Sequence, residues 1–189
     1  MQFHEFVARH GIAVFAVDRF DGFAVDVGIP PEWEPFDSAV GIGVWVCRSD
    51  PRIDKFCANA VLTLHRVEAS LDAGAVFAML SEQQLQSVPD CHERQRELAA
   101  ASEGPGDAGV LAMRISHELG SVDSVSRSRI VTCEQETLIA QLTVTALHES
   151  PADRENIWLS IRANAAAPRP TSDPGGTPVA RTEAATDGG

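Results

Sequence analysis

Residues 23–36 read Phe-Ala-Val-Asp-Val-Gly-Ile-Pro-Pro-Glu-Trp-Glu-Pro-Phe. Phe23, Val25 and Val27 fall on one side of an extended chain and Asp26 on the other, the period-two pattern of a half-buried strand. Pro30 and Pro31 have no amide hydrogen to give a sheet ladder, so this strand must stop by Ile29. Trp33 then sits on a stiff turn, placed to pack against neighbouring structure.

The flanking segments extend this start into a domain. Residues 2–10 predict a short helix with Phe3, Phe6, Val7 and His10 on one side, and Gly11 is its natural left-handed cap. So short a helix is not stable alone and must dock on something larger. Residues 41–47 and 57–67 predict two strands. In the second, Val61, Thr63, His65 and Val67 oppose Leu62 and Leu64, as in a central strand covered on both faces. Asp72 caps a helix over 73–86 with Val76, Phe77 and Leu80 as its apolar stripe, and Pro89 ends it.

Residues 91–100 read as an irregular strand, although Glu93-Arg-Gln-Arg-Glu-Leu-Ala-Ala also suits a helix, and Glu103-Gly-Pro-Gly-Asp is a turn. Residues 110–119 alternate, with Leu111, Met113, Ile115, His117 and Leu119 inward. Segments 125–133 and 138–147 pair as a hairpin about Glu134-Gln-Glu-Thr, with Leu138, Ala140, Leu142, Val144 and Ala146 on one face. Ser150-Pro151-Ala-Asp153 predicts a final helix with Ile157, Trp158 and Ile161 toward the sheet. The expected class is α+β, a mostly antiparallel sheet flanked by helices.

Composition bounds the function. The chain has 189 residues and a net charge of −12, with Lys55 its one lysine. Phosphate binding needs a basic stripe, so on charge grounds neither nucleic acid nor a bare anionic membrane is expected as a partner. No apolar run approaches the ~20 residues of a bilayer span. Residues 165–189, rich in Ala, Pro, Gly and Thr, predict a disordered tail after one domain over 1–164. The first residues show no basic and apolar leader and no cysteine placed for lipidation, so the expected location is the cytoplasm. Cys47, Cys57, Cys91 and Cys133 lack zinc spacing. Cys47 and Cys57 are close enough in a hairpin to pair, but in a reducing compartment they are expected to be free thiols.

Several phrases resemble the LpqN/LpqT family of mycobacterial lipoproteins: Phe6-Val-Ala-Arg-His-Gly-Ile, Val25-Asp-Val-Gly-Ile-Pro-Pro-Glu-Trp-Glu, Leu71-Asp-Ala and Leu85-Gln-Ser-Val-Pro-Asp, in that order, within residues 3–163. The resemblance implies a PsbP/Mog-like α/β/α sandwich and a place in actinobacterial envelope biology, where one branch handles trehalose mycolate lipids. The missing leader and lipidation cysteine depart from that family pattern.

Signals for chemistry are sparse. His4, His10, His65, His92, His117 and His148 show no metal-pair spacing. There is no GxSxG elbow, and Gly41-Ile-Gly-Val lacks the rest of a dinucleotide loop. The carboxylates Asp18, Asp21, Asp26, Glu32, Glu34 and Asp37 read as a solvated rim. No catalytic residue, cofactor or metal is expected, and the chain is expected not to be an enzyme. The candidate ligand-binding residues are Trp33, Phe36 and Trp45, one wall of an apolar cleft. Trp33 has a competing reading as a core plug, and Trp45 suits core and ligand wall equally. Two functions follow. One is a non-catalytic receptor for a lipid or glycolipid. The other is a cytoplasmic adaptor or chaperone for a protein segment, a use to which the PsbP/Mog-like fold is also put. The sequence leaves the oligomeric state open.

Overall fold

The computed structural model describes residues 1–118 and 120–164. Its elements are α1 (Phe3–His10), β1 (Val14–Ala16), β2 (Phe23–Gly28), β3 (Glu34–Ala39), β4 (Ile42–Val46), β5 (Asn59–Val67), α2 (Ala73–Ser87), β6 (Cys91–Ala100), β7 (Asp107–His117), β8 (Gly120–Thr132), β9 (Thr137–Leu147) and β10 (Trp158–Ala163). Eight strands form one sheet in the order β3-β4-β5-β9-β8-β7-β6, with β1 also on β5. Every pairing in it is antiparallel. The class is α+β, as expected.

The inner strands present two different faces. On β9, Leu138, Ala140, Leu142, Val144 and Ala146 are all buried in one cluster with Ala58, Ala60 and Leu64 of the β5 segment. The alanines leave room for a covering layer to approach closely. That layer is a ribbon of β2 paired with β10, which inserts Val25, Val27, Leu159 and Ile161. On the opposite face Val67, Ile130 and Ile139 meet Phe3, Val76 and Phe77 of the two helices. Gly109 of β7 lies under Phe77, where a Cβ would stand 2.5 Å from the ring.

One expected element is corrected. Residues 150–161 do not form a terminal helix; β10 runs there as a strand. The capping residues are real but close local turns instead: Ser150 Oγ accepts from the Ala152 amide at 3.1 Å, and Asp153 Oδ1 accepts from the Glu155 and Asn156 amides at 3.2 Å each. The chain then alternates, with Leu159 and Ile161 buried and Trp158 outward, and satisfies the edge of β2. The second helical layer of the implied sandwich is therefore a strand ribbon. β1 and β3 were not anticipated. Residues 91–100 are a strand with a bulge between Glu93 and Gln95. The inward placement expected of His117 and Leu119, and the tail over 165–189, lie outside the described residues and side chains.

Trp33 sits at the seam of the apolar face. It is 3% exposed, and its indole N–H donates to the Asp153 carbonyl at 3.0 Å. The Trp33 amide in turn donates to the Pro30 carbonyl at 3.0 Å, so the double proline closes the turn that delivers the ring.

Two predictions follow from this packing. Trp33→Ala should cost about 3–5 kcal/mol in denaturant unfolding, and Trp33→Phe, which keeps a ring but loses the donor, should cost less. Gly109→Ala should cost about 1–3 kcal/mol by overpacking. Combining it with Phe77→Leu should cost less than the sum of the two single changes.

Candidate binding cavity between the helices and the sheet

The polar alternation of the central strands decides what lies beneath the helices. On the helix side β9 presents Thr137, Ile139, Gln141, Thr143 and Thr145, and β8 presents Ser124, Ser126, Ser128 and Ile130 opposite them. Ser124, Ser126, Ser128 and Thr137 are buried and Thr143 and Thr145 partly so, and the buried hydroxyls must find partners. Ser126 and Thr143 share a hydrogen bond of 2.8 Å, Gln84 Nε2 of α2 donates to Ser126 Oγ at 2.9 Å, and Gln141 Nε2 donates to Ser128 Oγ at 3.2 Å. The first half of α2 thus packs on hydrocarbon and its second half on a hydroxyl carpet, which does not draw the helix down by apolar burial.

A cavity of about 390 Å³ opens beside that second half. Its roof is Phe3, His4 and Val7 of α1 with Leu80 and Gln83 of α2. Its floor is Thr63 and His65 of β5, Ile139 and Gln141 of β9, and Val14 of β1. The roof is held by amide side chains. Gln83 Oε1 accepts from the His4 backbone N–H at 3.1 Å and lies 3.1 Å from His4 Nδ1, while Gln2 Nε2 donates to Gln86 Oε1. Burial pushes the His65 imidazole below its ordinary value of 6.5, which favours the neutral ring. Ser81 Oγ and Gln84 Oε1, on the same stretch of α2, are buried without a hydrogen-bond partner. The arrangement is an apolar chamber with a few convergent polar groups, the usual make-up of a small-molecule site.

The three aromatic residues proposed from sequence do not converge on one cleft. Trp33 is a core plug with its indole donor occupied. Trp45 is half-buried at the margin of the ribbon-side core, its ring over Gly43. Phe36 is 62% exposed in the irregular part of edge strand β3, with the Arg48 guanidinium 5.9 Å from its ring centre. The acidic rim is largely engaged: Asp18 accepts from the Gly41 amide, Asp26 pairs with Arg162, and Glu34 pairs with Arg48. All four cysteines are free thiols. Among the described residues, no group of three His, Cys, Asp or Glu side chains gathers as a metal would require.

The sequence singles out none of the cavity residues Thr63, Gln83 and Gln141 as a site: Thr63 reads as part of a central strand covered on both faces, and Gln83 and Gln141 as polar positions beside an apolar stripe. The usable signal was position. Thr137, Gln141, Thr143 and Thr145 alternate with strictly apolar residues on a strand that has neighbours on both sides, so something had to cover them.

No protein-family profile matches the chain, and no curated protein matches it in sequence. Among solved structures, LpqN, involved in cell envelope biogenesis of Mycobacterium tuberculosis, is similar with a TM-score of 0.62 at 16% identity, over 79% of this chain and 87% of that one. A protein of Bacteroides thetaiotaomicron reaches a TM-score of 0.42 at 14% identity over 81% and 48% of the two chains. Human STARD10 reaches 0.27 at 11% identity over 68% and 64%. The latter two are too distant to bear on the site. The first is a likeness of architecture: the chain has an LpqN-like fold.

Proposed function

We infer that this chain is a non-catalytic binding domain whose ligand places an acyl chain in the cavity between α1, α2 and the sheet. The observation that carries this reading is the chamber itself: a volume of about 390 Å³ walled by Phe3, Val7, Val14, Leu80 and Ile139. Each methylene buried there contributes about 0.8 kcal/mol. Thr63, His65, Gln83 and Gln141 offer hydrogen bonds to a hydroxyl or ester at the end of the chain, which suits a lipid or glycolipid. The LpqN-like fold is consistent with an envelope-lipid role of this kind. Helix α1 has eight residues, too few to hold its own conformation without its docking partners, so it is the natural door.

The adaptor reading has less behind it. Strand addition needs an open, even edge, and both edges here are blunted. β6 carries Glu93, Arg94, Arg96 and Glu97 and a bulge, and β3 carries Pro35 and a register shift.

One measurement tests the proposal, and another tests the burial of His65 on the chamber floor. A fluorescent polyene fatty acid should bind the purified full-length chain, and filling the chamber by Thr63→Ile with Leu80→Trp should weaken it by about tenfold or more; unchanged binding in the filled variant would refute the site. The second is pH. With its folded value depressed, His65 stays neutral while the unfolded chain takes up the proton, so its contribution to stability is present above 6.5 and is lost as pH falls below it. His65→Leu should therefore flatten the fall in Tm between about pH 7 and about pH 5.

A further inference from the structure

On the ribbon side of the sheet, β8 carries two arginines, Arg129 buried and Arg127 partly buried, whose hydrogen bonding differs. Arg129 is 6% exposed and its Nη2 donates to the Glu103 and Pro105 carbonyls at 2.8 and 3.1 Å. Arg127, one ladder step away, has no such acceptors. Its Nη1 is buried and makes no hydrogen bond, and no carboxylate among the described residues lies within ion-pair distance of it. Burial accordingly pushes its guanidinium below the ordinary arginine value, with no neighbouring acid to offset the effect. An ionised donor left in that condition is costly to the folded chain.

Arg127 faces a cleft of about 510 Å³ between β8 and the segment 151–155. Val125, Val144, Pro151 and Ala152 supply its apolar surface, and Arg154 stands with Arg127 along the wall. The three acids of the lining are Asp123, Asp153 and Glu155. Asp123 is taken by Arg114 at 2.8 Å and His148 at 2.7 Å, with Arg154 at 3.5 Å. Asp153 is taken by the Asn156 side chain at 2.7 Å and by two amides of its own turn. These acids do not quench Arg127, but they do set a negative rim that repels multiply charged anions. The overhanging segment is anchored just before its start, by Ser150 donating to buried Asp50, and at its middle, by Trp33 donating to the Asp153 carbonyl, so the cleft is preformed.

We propose that this cleft is a second binding site, separate from the helix-side cavity, that takes a small organic monocarboxylate with an apolar body, its carboxylate on Arg127 and Arg154. A carboxylate matches the fork of guanidinium donors, and no ion pair among the described residues competes for Arg127. One negative charge satisfies the site; a dianion would meet the rim.

The test is an amide NMR titration of the full-length chain with hexanoate, with hexan-1-ol and hexyl phosphate as controls. Saturable shifts at Val125, Arg127, Ala152 and Arg154 are expected with hexanoate and not with either control. Arg127→Leu should weaken hexanoate by about tenfold or more, while leaving the ligand-free Tm unchanged or higher because a partly buried, unpaired charge is gone. Arg154→Gln, outside the sheet, gives the same direction if the first variant does not fold. The proposal falls if hexanoate does not saturate, if both variants bind it as the parent does, if its shifts map only to α1 and α2, or if a peptide with a free C-terminus binds the cleft where hexanoate does not.

Discussion

Strand β9 is covered on both sides, fully by the ribbon and partly by the helices, and its two sides are chemically unlike. That constraint arranges the rest of the molecule. The side with Leu138, Ala140, Leu142, Val144 and Ala146 must be sealed from water along its whole length, and the alanines allow a flat layer to settle closely. A two-stranded ribbon meets that need better than a helix would. The side with Gln141, Thr143 and Thr145 needs hydrogen-bond partners instead. A helix carrying Ser81 and Gln84 can lie over such a surface, though it cannot fill it as tightly as a leucine-lined one would. The helix-side chamber is thus a by-product of which hydroxyls β9 turns toward α2.

The ribbon has its own cause. Pro30 and Pro31 stop β2 from running on, and Trp33 is buried instead of extending the ladder. β2 is thereby left with an unpaired edge in the middle of the domain. The segment that satisfies it comes from the far end of the sequence, pairing Trp158 with Gly28 and Ala163 with Phe23. Gly28 has no side chain because the indole of Trp158 occupies that space. The two tryptophans therefore bracket one supersecondary unit, with one ring inside it and one on its outer surface.

Much of the fold was readable from local chemistry. Asp72 accepts from the Ala75 amide at 2.8 Å, as a cap should. The hairpin about residues 134–136 pairs Thr132 with Thr137, and the alternating faces of β9 lie as their pattern required. The misread element was β10, where Ser150, Pro151 and Asp153 give the same local signal whether the chain goes on as a helix or turns back on itself. What decided it was the empty edge of β2, more than 100 positions away and invisible to any window. β3 was hidden because all six of its residues are exposed and one is a proline. The site was less legible than the fold. Aromatic residues near a proline turn suggested a cleft, but Trp33 was consumed by the core. The groups that do surround a cavity are polar residues in alternate strand positions, and they resemble surface until a helix is placed above them. Arg127 is the sharpest case, since nothing in Val-Ser-Arg-Ser-Arg foretells which guanidinium will find a carbonyl.

The fastening of α1 to α2 carries a consequence of its own. Gln2, Gln83 and Gln86 form that latch from neutral amides, with His4 contributing its backbone N–H and its ring. No ion pair joins these side chains, so electrolyte has little in the latch to shield. Warmth, more than brine, will govern how readily that latch parts.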